Sequence, residues 1–157
     1  MTAIELQAKA EAIISKIIYL TLATVSADGR PWNTPVYTAF DARYNFYWTS
    51  SPAAQHSKNI KVNPEVAIVI YDSSATEGTG EGVYIQAVAS EVTDPAEIRK
   101  AIEFMYSRKN KPPRAVKDFL GESPRRIYKA APKKFWMNRL EKISGFLVDS
   151  REEIELP

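Results

Sequence analysis

One stretch of the chain gathers groups that could hold a phosphate: Trp48-Thr-Ser-Ser-Pro-Ala-Ala-Gln-His-Ser-Lys-Asn59. It reads as a strand end, a hydroxyl cluster and a helix start. A helix N-terminus presents unpaired N–H groups and about half a positive charge, and both attract phosphate. Thr49, Ser50 and Ser51 add hydroxyl donors; His56 and Lys58 add cationic ones. The competing reading is structural, with Ser50 or Ser51 capping the helix, Pro52 in its first turn and Lys58 facing water.

Self-sufficient catalysis finds little support elsewhere. His56 is the only imidazole, so a multi-histidine metal site within one chain is excluded. Ser57 is its sequence neighbour, but a nucleophile and its base need spatial contact and an orienting acid. The chain has no cysteine, which removes disulfides, thiolate metal sites and cysteine nucleophiles. Glu77 and Glu81 flank Gly78-Thr-Gly-Glu-Gly82, which precedes a strand rather than a helix and reads as a flexible turn. The remaining route is chemistry by a bound cofactor that the protein positions.

The elements that must do the positioning follow from periodicity. Residues 3 to about 18 carry an apolar stripe at helical spacing, taken through Ile4, Ala8, Ala12, Ile13, Ile14, Ile17 and Ile18. Tyr19 to Val25 alternates as a strand, Asp28-Gly29 closes a hairpin, and Trp32 to Phe40 returns with Pro35 marking an edge or a bulge. Asn45 to Thr49 is a third strand, residues 50 to 63 a short helix, and Val66 to Tyr71 a buried strand. A polar loop over 72–80 leads to a strand from Gly82 to Val92 and a helix capped by Asp94 with Pro95 at its first position. The run Arg108-Lys-Asn-Lys-Pro-Pro-Arg114 reads as a solvated loop, and a short helix spans Arg114 to Leu120. Ile127 to Ala130, Lys134 to Leu140 and Ser144 to Val148 read as closing strands. Antiparallel strands with few helices predict a mainly β (α+β) fold, a closed or nearly closed barrel with flanking helices.

The 157 residues fit one domain, residues 1–157. A net charge of +2 from 21 basic and 19 acidic side chains gives no reason to expect a nucleic-acid or membrane partner. No apolar run approaches the roughly 20 residues a membrane helix needs. The first residues lack signal-peptide character, so the expected location is the cytoplasm.

Three stretches carry a resemblance. They are Thr21-Leu-Ala-Thr-Val-Ser-Ala-Asp-Gly-Arg-Pro-Trp-Asn-Thr-Pro-Val36, then Phe46-Tyr-Trp-Thr-Ser-Ser-Pro52 through Gln55-His-Ser-Lys-Asn-Ile60 to Asn63-Pro-Glu-Val-Ala-Ile68, and then Ile85-Gln-Ala-Val-Ala-Ser90 with the Asp94 helix. In this order and spacing the chain resembles the pyridoxamine-phosphate-oxidase-like family of flavin-binding split barrels. The resemblance implies a six-stranded antiparallel split barrel, a homodimer, and flavin mononucleotide (FMN) in clefts at the dimer interface. The second strand would run along the flavin with Asn33, Thr34, Pro35 and Val36. The third-strand end and the next helix would hold ribityl and phosphate groups through Thr49, Ser50, Ser51, His56, Ser57 and Lys58. Trp136, in the late strand, would approach the flavin as a lid; its other reading is a barrel or interface aromatic.

The chain departs from the family pattern in two places. Asn33 stands where relatives often have arginine, and Ala54, Gln55 and His56 stand where they have Arg-Lys early in the helix. The phosphate site would then lean on His56, Lys58 and Arg30. The C-terminal Arg-x-His substrate motif is absent from the ending Asp149-Ser-Arg-Glu-Glu-Ile-Glu-Leu-Pro157, which argues against pyridoxamine phosphate as substrate. The expected function is an FMN-dependent oxidoreductase acting on a small molecule with a nicotinamide or other electron donor. The alternatives are a deazaflavin (F420)-dependent reductase, or a non-enzymatic flavin- or haem-binding protein in which His56 is an axial ligand.

Overall fold

The computed structural model describes residues 2–157. Helix α1, Ala3–Lys16, starts at a capping box in which Thr2 Oγ1 accepts from the Glu5 N–H and the Glu5 carboxylate accepts from the Thr2 N–H. Its buried stripe is Leu6, Ala10 and Ile14. Of the expected stripe, Ile14 is buried and Ile13 and Ile17 pack against the core, while Ile4 is exposed. Strand β1 (Tyr19–Val25) pairs antiparallel with β2 (Pro31–Tyr37) across the Asp28-Gly29 turn. Gly29 has a φ of +81°, the left-handed region glycine enters without steric cost.

The ladder between β1 and β2 runs unbroken from Tyr19↔Tyr37 to Val25↔Pro31, with no bulge at Pro35. Of the two arrangements expected there, the edge is the one formed, because β2 ends the strand order. The break comes at Thr38, and a separate two-residue strand β3 (Ala39–Phe40) follows. β4 (Phe46–Ser50), α2 (Gln55–Val62), β5 (Glu65–Tyr71), β6 (Gly82–Val92) and α3 (Pro95–Lys109) come next. Asp94 caps α3 by accepting from the Glu97 N–H, as its sequence position predicts. β5 is only half buried; Val66, Ile68 and Ile70 point inward while Ala67 and Val69 face out.

After a 3-10 turn, Val116–Phe119, one continuous strand β7 (Arg126–Ile143) replaces the two strands expected there. The gap between those two expected strands contains Pro132. The chain accommodates it by a register shift opposite Gln86/Ala87, so proline sits at a bulge within a central strand. β8 (Phe146–Ile154) folds back on β7 through Ser144 and Gly145, both at positive φ. Those two residues form the turn rather than the start of the strand.

The sheet thus has eight strands, not six, in the order β2-β1-β5-β6-β7-β4-β3, with β8 on β7. It is a mainly antiparallel split barrel. Its interior holds Leu20, Leu22, Phe46, Trp48, Ile68, Ile85 and Met137, with α1 and Ile60 of α2 packed against them. A second apolar cluster joins Ile98, Ile102 and Met105 of α3 to Tyr47, Phe119 and Ile127.

β2 and β4 approach each other without pairing, and small polar devices close this seam. The Thr38 N–H donates to Ile18 O and its hydroxyl to Tyr47 O, tying β1 to β4. Arg108, expected in a solvated loop, lies in the last turn of α3. It donates to Thr38 O and to the carbonyls of Ile14, Ser15 and Ile17 at the end of α1, at 2.9–3.0 Å. Arg108→Met should therefore leave several half-buried carbonyls unpartnered. At about 1–3 kcal/mol per orphaned group, the expected loss is about 2–4 kcal/mol. That is a fall in Tm of roughly 4–16 °C for a domain this size, measurable by calorimetry; an unchanged Tm would show that water replaces the guanidinium without cost.

Candidate functional site

Helix α2 begins at Gln55, four residues later than a serine cap would have it. Its N-cap is Ala54, which offers no side-chain acceptor. Ser51 Oγ accepts from the Ala53 N–H in the preceding turn, and Pro52 lies outside the helix. Neither Ser50 nor Ser51 caps α2. The first-turn N–H groups of α2 are therefore free of a side-chain cap, as an anion-binding helix start requires.

Ser50 has a different partner. Its hydroxyl lies 2.7 Å from His56 Nε2 and ties the end of β4 to α2. On the same buried face, Asn59 Nδ2 donates to Thr24 Oγ1 of β1 at 2.9 Å, and Gln55 Nε2 donates to Asn59 Oδ1 at 2.8 Å. His56, Asn59 and Ile60 recur at helical spacing, so one face of α2 fills the lower seam of the barrel.

Burial lowers the His56 pKa below the ordinary histidine value of 6.5. Burial thus favours the neutral ring, and the contact His56 makes is the hydrogen bond with Ser50. Arg30 is engaged with Asp28 at the hairpin tip, 3.0 Å apart and exposed.

Ser57 and Lys58 line a neighbouring cleft, between α2 and Ala89, Ser90 and Tyr128 of β6 and β7. Asn33 and Trp136 meet elsewhere, in a recess of about 520 Å³ on the outward face of the sheet. Its floor is made of Thr21, Ala23, Ala67 and Val69, with Gln86 beside them, and its walls of Tyr84, Trp136 and Arg151. Tyr84 and Trp136 are cross-strand partners, and the Arg151 guanidinium stacks 3.8 Å from the Tyr84 ring centroid. Phe135 and Met137 pack inward, so the alternation expected for this strand holds. Of the other β2 residues singled out, Pro35 is exposed, Thr34 accepts from Trp32 Nε1, and Val36 points into the core.

The sequence reading missed Tyr84, Ala67 and Arg151. Period-two alternation in β5 and β6 places the first two on the outer face. Arg151 had no signal, because its position depends on the Ser144-Gly145 turn.

With a single histidine, titration is easily followed. The His56 resonance should shift with a pKa below 6.5. Because the unfolded chain then takes up its proton first, stability should hold above pH 6.5 and fall as the pH drops below it. His56→Gln should flatten that window; a native pKa at or above 6.5 would contradict the buried, neutral ring.

The family profile described as pyridoxamine 5'-phosphate oxidase matches residues 6–138. Among solved structures, the haem storage protein HutZ from Vibrio cholerae superposes with a TM-score of 0.64, at 21% identity over 82% of this chain and 90% of that one. ChuZ from Campylobacter jejuni gives 0.73, at 16% identity over 87% of this chain and 56% of that one. An F420 reductase gives 0.58, at 25% identity over 80% of this chain and 94% of that one. No curated protein matches the sequence. With five-sixths of its length under the profile and the barrel topology described above, this chain belongs to the pyridoxamine 5'-phosphate oxidase family.

Proposed function

We propose that the protein is an FMN-dependent oxidoreductase that binds its flavin on the outward sheet face. The observation that carries this reading is the recess itself, a floor of Thr21, Ala23, Ala67 and Val69 beside Tyr84 and Trp136. Small side chains leave room for a flat ring system to lie on the strands, and aromatic walls exclude water from its faces. Asn33, at the near edge, offers amide donors and an acceptor to ring heteroatoms. β2 is an edge strand, so its outer backbone groups are available as well. The uncapped start of α2, with Thr49, Ser50 and Ser51 before it, fits a phosphate bound by backbone N–H and hydroxyl donors. When bound, the flavin supplies hydride transfer.

The chain's own part is positional. Trp136 and Tyr84 hold the ring plane, and Arg151 places a positive charge at the rim. No side chain in the recess has the burial and partners of a general acid or base. A second copy of the chain is the natural cover, because the same face exposes Tyr19 and Tyr71 at about half their area, 54% and 47%. The substrate is a small molecule admitted between the copies, and a reduced nicotinamide is the simplest electron donor.

The F420 reductase, at 25% identity, favours a second reading in which a deazaflavin takes the recess. A haem role for His56 is less well supported, since Ser50 already occupies its Nε2.

Titration with FMN and with F420, followed by cofactor fluorescence, tests the choice. FMN should bind at micromolar affinity or tighter, about 8 kcal/mol or more. Ala67→Trp, which fills the floor, should weaken FMN at least tenfold at unchanged Tm. Preference for F420 would select the second reading, and binding of neither would overturn both.

A further inference from the structure

We propose a second ligand site, separate from the flavin recess, in the cleft between α2 and the β6–β7 ladder, and that it takes a small organic anion. The cleft measures about 510 Å³, within the range of small-molecule pockets. At its base lies Ser57, 3% exposed, whose Oγ has no hydrogen-bond partner. It faces the Tyr128 hydroxyl without forming a well-made bond to it. A buried hydroxyl left unpaired costs about 1–3 kcal/mol, so it calls for an explanation.

The surroundings supply one. Lys58 and Lys61 line the same cleft one helical turn apart. Glu91, the one carboxylate lining it, is held 3.1 Å from Arg126 Nε, which leaves the lysines as the uncompensated charge. Pro52, Ile60, Pro64 and Ala89 form apolar walls beside the Tyr128 ring. Tyr128 in turn stacks on buried Trp48, 5.9 Å between centroids and 17° from parallel, so this wall is rigid. The arrangement fits a ligand with a carboxylate or phosphate between the lysines and the Ser57 hydroxyl, and a small apolar body against prolines and tyrosine. None of the residues of the flavin recess lines this cleft.

Phenyl phosphate is a suitable probe, with inorganic phosphate as the charge-only control. Calorimetry on the full chain should show a submillimolar phenyl phosphate site that persists under saturating FMN, its affinity the same with and without FMN. Inorganic phosphate should bind at least tenfold more weakly. The double variant Lys58→Met/Lys61→Met should lose at least tenfold in affinity. Ser57→Ala should weaken binding while leaving Tm unchanged or higher, because it removes no internal hydrogen bond.

Several results would overturn the proposal: no binding at millimolar probe, equal binding of the two phosphates, or insensitivity to the lysine pair. A Tm loss of several degrees in Ser57→Ala would show that the hydroxyl serves the fold. Competition with FMN would merge the cleft with the flavin site. The measurement without FMN stands even if the protein binds no flavin, so the two readings fail separately.

Discussion

An antiparallel sheet that curls without closing leaves two strand edges facing each other, and their polar groups must find partners. In this barrel the strand order ends at β2 on one side and at the two-residue β3 on the other, which covers only Phe46 and Tyr47 of β4. Beyond the short pairing with β3, the outer side of β4 has no strand to bond. Thr38 and Arg108 close the upper seam, and α2 fills the lower one through His56 to Ser50 and Asn59 to Thr24. A helix used this way has its buried face fixed by the barrel. Its first turn and its outer flank are left over, and those are the parts that can meet a ligand.

This division explains the electrostatics of α2. His56 belongs to the seam, where burial favours its neutral form. The helix start itself offers N–H dipoles and nearby hydroxyls rather than a fixed cation. Dipolar donors of this kind hold an anion with less long-range attraction than an arginine pair.

The fold was largely legible because local signals and the global pattern agreed. Alternation in β1, the Asp28-Gly29 turn and the Asp94-Pro95 start of α3 each have a short-range cause that tertiary structure did not override. Where the reading failed, a distant contact had decided the matter. Two strands were expected where β7 runs on, because a bulge opposite β6 carries the chain through Pro132. Arg108 looked solvated, yet its partners lie more than 65 residues away in sequence. Ser50 looked like a helix cap, and its hydroxyl went to a histidine instead. The candidate site was legible as residue types, less so as a constellation. Asn33 and Trp136 share a recess, while Ser57 and Lys58 line another cleft, and no spacing rule separates those outcomes.

Unpaired polar groups give an independent guide to where function lies. Among the described residues, the buried side-chain atoms without a hydrogen bond are Trp48 Nε1 and Ser57 Oγ. Both are near Tyr128, the first through ring stacking and the second across the cleft. The uncapped turn at Ala54 is a few residues away on the same helix. Elsewhere the chain satisfies its polar groups with care, as in the capping box of α1 and the four carbonyls held by Arg108. Among the described residues the unmet polar groups therefore gather at Tyr128, between β4 and the flank of α2, and not at the periphery, where caps and Arg108 satisfy the backbone.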